Sequence, residues 1–368
     1  MKPNGISSRR QFIGAIGSGA AALAAGPLFS ISTNDGYVHL CFNENPYGPS
    51  EKTWRAIRDS ISAAARYPAD LSYDGLEAQL GKFHGLTADN ILAGTGSTEI
   101  LKVCDDLFLE SKPHLVAAET TYDAVYQYAV NSRAEVTKVP LTKDYRHDLQ
   151  AMSAAITPET GIVFICNPNN PTATIVTKDE MQRFMNRIPE SVTVLVDEAY
   201  SHFAGPGYES AIRYVKEGRN VVVARTFSKA YGLAGMRIGY GIAKAEIMDR
   251  LRPYGLDFNL SVPAVAAAET ALEDTQQLEK VIRSNDVQRR AFYAEMKGLG
   301  FEYIPSEANF VMVNIRTEAA PVIEEFWKRK ILVGREFPPM TKFLRVSIGT
   351  DDEMKRFYSA FRQIIRGQ

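Results

Sequence analysis

The sequence predicts an α/β fold with a mainly parallel sheet, followed by a smaller α+β domain. From about residue 89, short apolar runs rich in β-branched residues alternate with amphipathic stretches of helical period, which is the pattern of βαβ units. After about Pro253 the pattern changes to long helical stretches and separate strands. The chain has 368 residues, of which 45% are apolar, so it can bury a large core as one large or two moderate domains.

The N-terminal segment is set apart from the fold. It reads SSRRQFIGAIGSGAAALAAGPLFS, with Arg9 and Arg10 before Phe12, a Gly/Ala-rich run, and the small residues ALA at 22–24. This order resembles a twin-arginine (Tat) export signal; a basic tail or a short membrane anchor are the alternatives. The run is just shorter than the roughly 20 residues of a stable membrane span. We therefore predict a signal over residues 1–32 and a periplasmic or exported protein, or a cytoplasmic one if the signal is not used.

Apolar runs predict the strands of the sheet in the order NILAG, HLVAAE, VTKVPL, GIVFICNP, VTVLVDEAY, NVVVARTFSK and RIGYGIA. Helices are predicted between them at STEILKVCDDLFL, TYDAVYQYAV, DLQAMSAAI and KDEMQRFMNRI. Ligands of such sheets bind beyond the carboxyl ends of the strands. The polar motifs GTGST, NPNNPTA, DEAYSHF and SK follow strands and therefore mark the predicted site.

The second part of the chain predicts two-layer α+β structure. Its helices are expected at 262–299, 320–330 and 351–365, and its strands within FEYIPSEANFVMVNI, ILVGREF and FLRVSIG. The segment 37–49 is expected to pack against it as an arm. The predicted units are a signal at 1–32, an arm at 33–55, a large domain at 56–255 and a small domain at 256–368.

Composition argues against several functions. The chain has 42 Lys+Arg and 43 Asp+Glu, a net charge of -1, which gives no indication of a nucleic-acid partner. Cys41, Cys104 and Cys166 are far apart, and the five histidines lack metal-site spacing, so no metal site is predicted. One disulfide remains open as an alternative, and at least one thiol is expected to be free.

The turn GTGSTEI opens a helix and can bind an anion through its free N–H groups. Gly96, Ser97 and Thr98 are the best-placed residues. Taken alone, the motif also fits an ordinary connection between a strand and a helix.

Three further motifs place polar side chains after apolar strands. Asn170 lies in a proline-flanked turn, where a structural Asx turn is the alternative. Asp197 ends an apolar strand and needs a partner there; a helix cap or a structural salt bridge is the alternative. Lys229 ends another strand, where partial desolvation can lower its pKa and permit a Schiff base, and Arg237 follows a turn of small residues.

The set of Asn170, Asp197, Tyr200, Ser228–Lys229 and Arg237 resembles the pyridoxal-phosphate aminotransferases of fold type I, class I/II, and in particular the histidinol-phosphate aminotransferase branch. FNENPYGPS, NPNNPT, DEAYSHF, TFSKAYGLAGMRIGY, SEANF and FLRVSIGT are similar to that branch's patterns. The similarity extends from about Leu40 to the C-terminus. It implies a large domain with a mainly parallel seven-stranded sheet, a small domain, pyridoxal 5'-phosphate as cofactor and a homodimer with shared active sites.

The resemblance also implies roles for individual residues. Lys229 would hold the cofactor as an internal aldimine and later carry a proton between the substrate Cα and the cofactor. Asp197 would pair with the pyridine nitrogen, so that the ring accepts electrons. Tyr200 and Asn170 would hydrogen-bond the 3′ oxygen, and Tyr122 would stack on the ring.

The phosphate and the substrate would be bound by other positions. Those for the phosphate are Ser228, Arg237, the turn at Gly96, Ser97 and Thr98, and Tyr67 from the neighbouring subunit. Arg345 resembles the arginine that binds the substrate's carboxylate or phosphate, with a surface arginine as the alternative. Tyr47, Asn309 and Arg335 are further candidate substrate contacts, and for Arg335 a solvated salt bridge is equally compatible.

Three features depart from the branch's pattern. Ala173 stands where glycine is usual, which an alanine tolerates if the backbone is not left-handed. His202 stands where an acidic residue is common, so it either alters the substrate side or is an exposed loop residue. An export signal fits poorly with histidine biosynthesis in the cytoplasm.

The predicted function is transamination between an amino acid or related amine, histidinol phosphate being one candidate, and a 2-oxo acid. Other fates of the same cofactor are alternatives: oxidation, decarboxylation or racemisation of an amino acid. A non-enzymatic binder of pyridoxal phosphate is a third hypothesis, although a binder has no need of Asp197, Tyr200 and Arg345 together.

Overall fold

The structure is a computed structural model of the chain. It describes residues 36–67 and 73–366, so the predicted signal over residues 1–32 lies outside the described residues. From Val38 onward the chain forms one compact unit. Within the described ranges, no helix is both long and apolar enough to cross a membrane.

Strands and helices alternate through most of the described chain. The strands are β1 (Val38–Leu40), β2 (Ile91–Gly94), β3 (His114–Ala118), β4 (Glu135–Val139), β5 (Thr160–Cys166), β6 (Thr193–Asp197), β7 (Val221–Thr226), β8 (Gly239–Ile242), β9 (Glu302–Ile304), β10 (Phe310–Asn314), β11 (Ile331–Val333) and β12 (Phe343–Ser347). The helices are α1 (Glu51–Ser60), α2 (Asp74–His84), α3 (Ser97–Ser111), α4 (Ala124–Asn131), α5 (Leu149–Ala154), α6 (Lys178–Met185), α7 (Ile212–Lys216), α8 (Ala245–Leu251), α9 (Val262–Glu273), α10 (Thr275–Gly298), α11 (Ala319–Lys328) and α12 (Asp351–Arg366). Short 3₁₀ helices are formed by Ile61–Ala65, Ala88–Asn90, Ser201–Phe203, Ala234–Met236 and Arg252–Tyr254.

A seven-stranded, mainly parallel sheet forms the centre of the unit, as predicted. Its order is β2-β8-β7-β6-β5-β3-β4, and only β8 runs antiparallel to its neighbours. Alternate residues of one strand enter different core clusters: Val194 and Val196 of β6 pack in one, and Leu195 packs in the other. Both faces of the central strands are therefore buried, which is why they appear in the sequence as continuous apolar runs.

Local signals in the sequence set where several helices begin. Thr177 and Glu180 form a reciprocal capping box at the start of α6. Asp148 accepts a hydrogen bond from the Ala151 N–H at 2.9 Å and so caps α5. Each cap fixes the residue at which the helix begins, after the loop that follows a strand. The residues of that loop are therefore outside the helix.

The C-terminal part has its own small sheet. Strands β12, β10 and β9 form an antiparallel sheet in that order, while β1 pairs in parallel with β11. A separate aromatic core that includes Phe292, Phe326 and Phe357 packs beneath it. The arm thus contributes β1 to this region, as expected, while the domain boundaries 33–55, 56–255 and 256–368 stay predictions.

Candidate active site

The predicted motifs lie at one edge of the central sheet. The loops after β2, β3, β5, β6 and β7 carry GTGST, TTYD, NPNNPT, DEAY and SK, in that order. Because β8 is antiparallel to both β2 and β7, β2 ends at the same edge as the parallel strands. The arm after β1 and strand β12 supply a second set of side chains. The site is therefore at the carboxyl edge of the sheet, as the sequence predicts.

Lys229 lies just beyond β7, with its amine directed at the arm. Nζ donates a hydrogen bond to the Phe42 carbonyl oxygen at 2.7 Å. Burial lowers the pKa of Lys229 to about 8, and the Arg345 cation acts in the same direction. The carboxylates of Glu44 and Asp197 oppose this shift of the pKa. An amine with a pKa near 8 is neutral far more often at pH 7 than an ordinary lysine, as a nucleophile must be.

Asp197 ends β6 and is 4% exposed. Its Oδ1 accepts one hydrogen bond, from the Ala199 N–H at 3.0 Å. Burial raises the pKa of Asp197 to about 6, whereas the Ala199 N–H and Lys229 lower it. Within the described chain no ion pair involves this carboxylate, so the salt-bridge alternative is not observed. A buried carboxylate with so few partners suits a cationic ring nitrogen.

Two turns meet to form a cradle for an anion. Gly96 precedes α3 with a φ of 81°, and a Cβ built on it would lie 2.7 Å from Nη2 of Arg237. Nη1 of Arg237 donates to Ser228 Oγ at 3.2 Å. The amides of Ser97 and Thr98 open α3 and have no acceptor within the helix. The cradle therefore combines a helix N-terminus, a hydroxyl and an arginine that has no carboxylate partner among the described residues.

Tyr122 and Asn170 approach the site from the loops after β3 and β5. Burial raises the pKa of Tyr122 to about 12, and the Thr98 side chain acts on this pKa in the opposite direction. Asn170 accepts a hydrogen bond at Oδ1 from Nη1 of Arg345 at 2.6 Å. Asn170 is thus held by another predicted site residue, Arg345.

Asn169 is a residue that the sequence interpretation missed. Its side chain is fully buried, accepts from Thr121 Oγ1 at 2.8 Å and donates to the Thr120 carbonyl oxygen at 3.0 Å. It thereby joins the loop that carries Tyr122 to the loop that carries Asn170. The only signal in the sequence was its place in NPNNPT, one residue before a candidate contact.

Tyr200 is buried beneath the arm. Its hydroxyl oxygen accepts a hydrogen bond from Nδ2 of Asn43 at 3.0 Å, and its ring packs edge-on against Phe310 with centroids 5.0 Å apart. Burial raises the pKa of Tyr200 above its ordinary value, so the hydroxyl stays protonated. Asn43 was also missed as a site residue, although it lies within the FNENP motif.

Arg345 lies on β12 and is 7% exposed. Its Nη2 donates to the Cys41 carbonyl oxygen at 2.6 Å, and its guanidinium lies 4.6 Å from the Phe337 ring centre. Nε has no hydrogen-bond partner, and within the described residues Arg345 forms no ion pair. Burial lowers its pKa to about 10. The surface alternative is wrong: Arg345 is a buried cation that packs on an aromatic ring and has no counter-charge within the described part of the chain.

The other candidate substrate contacts differ in their surroundings. Asn309 is 2% exposed and donates to the Asn43 carbonyl oxygen at 3.0 Å, so it holds the arm. Tyr47 is 39% exposed at the surface of the arm. Arg335 forms an ion pair with Asp123, as in the salt-bridge alternative for this residue. Direct contact of these three residues with a substrate stays a prediction.

A cleft of about 260 Å³ opens between the arm and the turn after Lys229. Glu44, Asn45 and Ser228 are among its lining residues. The arm packs closely here, because a Cβ built on Gly232 would lie 2.5 Å from the backbone carbon of Gly48. The cleft thus shares Ser228 with the cradle, and the Glu44 carboxyl group belongs to its lining.

Tyr67 lies at the protein surface. It is 72% exposed, and its ring packs against Phe258 with centroids 4.8 Å apart. An exposed aromatic residue of this kind is available to another molecule. Its predicted contact with the phosphate of a neighbouring subunit stays a prediction.

The departures from the branch's pattern have structural counterparts. Ala173 has a φ of 60°, so its backbone is left-handed and the tolerance expected for alanine does not apply. His202 is half-buried and packs edge-on against Tyr231 at 5.1 Å, which contradicts the exposed alternative. Cys41, Cys104 and Cys166 are all buried and free.

Comparison with known proteins gives a consistent result. The sequence profile described as aminotransferase class I and II matches residues 35–361. The histidinol-phosphate aminotransferase of Moorella thermoacetica is 38% identical over 333 residues, covering 89% of this chain and 85% of that protein. The histidinol-phosphate aminotransferase of Akkermansia muciniphila is 36% identical over 332 residues, covering 89% of this chain and 90% of that protein.

A solved structure shares the fold. The crystal structure of histidinol-phosphate aminotransferase from Sinorhizobium meliloti in complex with pyridoxal-5'-phosphate superposes with a TM-score of 0.85 and 28% identity, covering 90% of this chain and 91% of that one. The fold, the residues at the carboxyl edge of the sheet and the length of chain that is matched all indicate the same family. The chain belongs to the aminotransferase class I and II family.

Proposed function

We propose that this enzyme transfers an amino group from an amine that also carries a carboxylate or phosphate to a 2-oxo acid. The observation that carries the substrate class is the state of Arg345, a buried cation that has no carboxylate partner among the described residues. Its charge acts on Lys229 and lowers the pKa of that amine. An anionic group on the substrate would supply the missing counter-charge.

The residues at the carboxyl edge fit pyridoxal phosphate. The cradle of Gly96, Ser228 and Arg237 offers donors and a positive charge to a phosphate, and a side chain at Gly96 would fill it. Asp197 is a buried carboxylate that forms no ion pair among the described residues. When bound, pyridoxal phosphate supplies a carbonyl that condenses with amines and a ring that accepts electrons from the substrate Cα.

The side chains of the site would then have separate roles. Lys229, with its lowered pKa, would hold the carbonyl carbon in the resting enzyme and afterwards move the proton at the substrate Cα. Asp197 would keep the ring nitrogen protonated, and Tyr200 and Asn170 would hydrogen-bond the 3′ oxygen. Arg345 would orient the substrate from the opposite side by binding its anionic group.

Histidinol phosphate is the first donor to test, since relatives 38% and 36% identical to this chain bear its name. It also carries the anionic group that Arg345 requires. Amino acids are the second class, because a carboxylate offers the same two oxygens to the guanidinium fork.

The test is the absorption spectrum of the purified protein, recorded without oxygen while amines are added one at a time. We expect one anionic amine to abolish the cofactor band and a 2-oxo acid to restore it. Lys229→Ala is the control, and should remove turnover while a phosphate contact is kept. If the cofactor band is lost only when air enters, the reaction is the oxidase alternative and not transamination. If carbon dioxide is released, the reaction is decarboxylation.

We also propose a homodimer with shared active sites. Exposed apolar side chains support it: Ile61, Tyr67, Leu256 and Phe258 are between 49% and 72% exposed. Tyr67 and Phe258 are in contact, and exposed apolar surface of this kind is commonly covered by a partner. Tyr67 would extend from this surface into the partner's cradle.

Export through the twin-arginine route is a separate proposal that rests on the N-terminal sequence. Its support is the order of Arg9, Arg10 and Phe12 before a Gly/Ala-rich run. The test is fractionation of cells that express the full chain or the double variant Arg9→Lys, Arg10→Lys. Export predicts that the wild type is periplasmic and that the variant accumulates in the cytoplasm; equal distribution would reject it.

A further inference from the structure

We propose that Asn43 is a positioning residue, which fixes the direction of the Tyr200 hydroxyl so that its hydrogen is available to the bound cofactor. The proposal rests on the proposed function, because it needs pyridoxal phosphate beside Tyr200. Asn43 belongs to the arm, 157 residues from Tyr200 in the chain, and is 2% exposed.

The orientation of the Asn43 amide follows from its contacts with Ser347. Ser347 Oγ accepts the backbone N–H of Asn43 at 2.8 Å and lies 3.1 Å from Oδ1 of the same residue. An amide oxygen cannot donate, so the serine hydroxyl donates in the second contact. The reverse amide orientation would leave the Ser347 hydrogen without an acceptor among the described residues. In that reverse orientation the Asn43 amide oxygen would accept the Tyr200 hydrogen. In the observed orientation Nδ2 donates to Tyr200, and the Tyr200 hydrogen is left for the 3′ oxygen of bound pyridoxal phosphate, so both hydroxyl hydrogens have acceptors once the cofactor is bound.

The direction of this bond determines what Tyr200 can do. Its oxygen receives a hydrogen from Asn43 Nδ2 at 3.0 Å, and no described residue accepts the hydrogen of its own hydroxyl. The hydrogen of a phenol lies in or near the plane of the ring, on one of two sides of the oxygen. Asn43 Nδ2 occupies one side, so the Tyr200 hydrogen points to the other side, which is open to the cofactor. The titratable and charged groups that face the Tyr200 side chain are Lys229, Arg345, Asp197 and Cys166.

The backbone of Asn43 is held as firmly as its side chain. Its carbonyl oxygen accepts from Asn309 Nδ2 at 3.0 Å, and its φ is 55°. Only glycine, asparagine and aspartate adopt this left-handed conformation readily. Asn43→Asp and Asn43→Gly are therefore substitutions that keep the backbone while changing or removing the amide.

The experiment measures the pH midpoint at which the absorption band of bound pyridoxal phosphate changes. A hydrogen bond donated to the 3′ oxygen stabilises its negative charge, so the proton shared with the Lys229 nitrogen leaves at lower pH. Asn43→Asp presents a carboxylate that only accepts, which turns the Tyr200 hydrogen away from the cofactor. We expect the midpoint to rise by about one pH unit beyond the effect of the new charge.

A double-substitution cycle separates the two effects. In a Tyr200→Phe background there is no hydroxyl to turn, so Asn43→Asp should add only the contribution of its charge. The proposal requires that the rise caused by Asn43→Asp be larger with Tyr200 present than without it. Equal rises in the two backgrounds would overturn it.

Asn43→Gly decides the matter if the aspartate variant does not fold. It removes the amide without adding a charge, so a rise in midpoint that disappears in the Tyr200→Phe background supports the proposal, and no rise contradicts it. The melting temperature of each cofactor-free variant and its affinity for pyridoxal phosphate are recorded beside the spectra. A wild type that does not bind pyridoxal phosphate would reject the proposed function, whereas a wild type that binds it with equal rises in both backgrounds would reject this inference alone.

Discussion

At the residue scale, the site depends on a few side chains whose charge is not balanced within the described chain. Arg345 is held by the Cys41 carbonyl oxygen, by Asn170 and by the face of Phe337, all of which leave its positive charge uncompensated. Arg335 is only ten positions away in the sequence but is paired with Asp123. Arg345 can therefore pair with an anionic substrate, whereas Arg335 is already paired with a carboxylate.

Substituting each arginine by lysine tests this difference. Arg345→Lys keeps the charge but loses the planar fork, and we expect the KM for the anionic amine to rise roughly tenfold to a hundredfold. Arg335→Lys, the matched control, should change KM by less than about threefold, because its pair is partly exposed. Steady-state kinetics with one amine measures both, and a larger effect at Arg335 would contradict the assignment.

A second prediction at this scale concerns the strained backbone of Ala173. Ala173 and Ala308 are both fully buried in the same apolar cluster, but only Ala173 has a left-handed φ, of 60°. Left-handed backbone costs an L-residue about 1–2 kcal/mol, which offsets the methyl burial and chain entropy that a change to glycine loses. We expect Ala173→Gly to be nearly neutral and Ala308→Gly to be destabilising by about 1–2 kcal/mol.

Denaturant unfolding of the two variants under one set of conditions checks this prediction. The informative quantity is the difference between the two free energies of unfolding, because the loss of a methyl group is common to both. A destabilisation by Ala173→Gly as large as that by Ala308→Gly would show that the left-handed backbone carries no strain.

At the element scale, α3 combines the cradle at its N-terminus with a buried carboxyl group in its middle. Asp105 is 0% exposed, and neither of its carboxyl oxygens has a hydrogen-bond partner among the described residues. Burial raises the pKa of Asp105 to about 8, with Asp106 adding to the shift. In the unfolded chain an aspartate has a pKa of about 4.

The consequence for stability has a defined sign. Between pH 4 and pH 8, both approximate bounds, the folded state holds a proton that the unfolded state has lost, so stability falls as pH rises. Asp105→Asn removes this dependence, and we expect it to match the wild type near pH 4 and exceed it by at least about 1 kcal/mol at pH 8. Asp106→Asn, at a half-buried position that pairs with Lys102, is the control.

Urea unfolding at a series of pH values measures this dependence directly. The free energy of unfolding of the wild type and of Asp106→Asn should both decline through the range, with a somewhat smaller decline for Asp106→Asn because Asp106 adds to the raised pKa of Asp105. If the curve of Asp105→Asn runs parallel to theirs, Asp105 is not protonated in the folded state.

At the scale of the whole molecule, the proposed homodimer would place residues of two chains in one site. A mixture of two inactive variants tests this arrangement. Lys229→Ala lacks the amine in its own site, and Tyr67→Ala would fail to complete the site of its partner. In the mixed dimer one of the two sites contains Lys229 from one chain and Tyr67 from the other.

We expect the mixed dimer, refolded from equal amounts of the two variants, to recover part of the wild-type activity. Each variant refolded alone is the control and should stay low. The oligomeric state, measured by sedimentation, should be a dimer in all samples. Absence of recovery in a sample that is dimeric would contradict a shared site.

Much of this molecule could be predicted from sequence because the signals are local. Strand β6 is an unbroken apolar run, and such a run is sufficient to predict a strand that is buried on both faces. The polar residues at its end, Asp197 and Tyr200, then had to lie at the ligand-binding edge. The same reasoning placed Lys229 beyond β7 and Gly96 beyond β2.

By itself, the sequence determined the strands, the edge at which they end and the chemical groups placed there, because burial pattern and loop position are properties of neighbouring residues. Only the tertiary structure decided which groups meet: Asn43 with Tyr200 across 157 positions, and Arg345 with Asn170 across 175. Such contacts depend on how the arm and β12 pack over the sheet. The direction of a hydrogen bond between distant residues is fixed by that packing, and no local pattern encodes it.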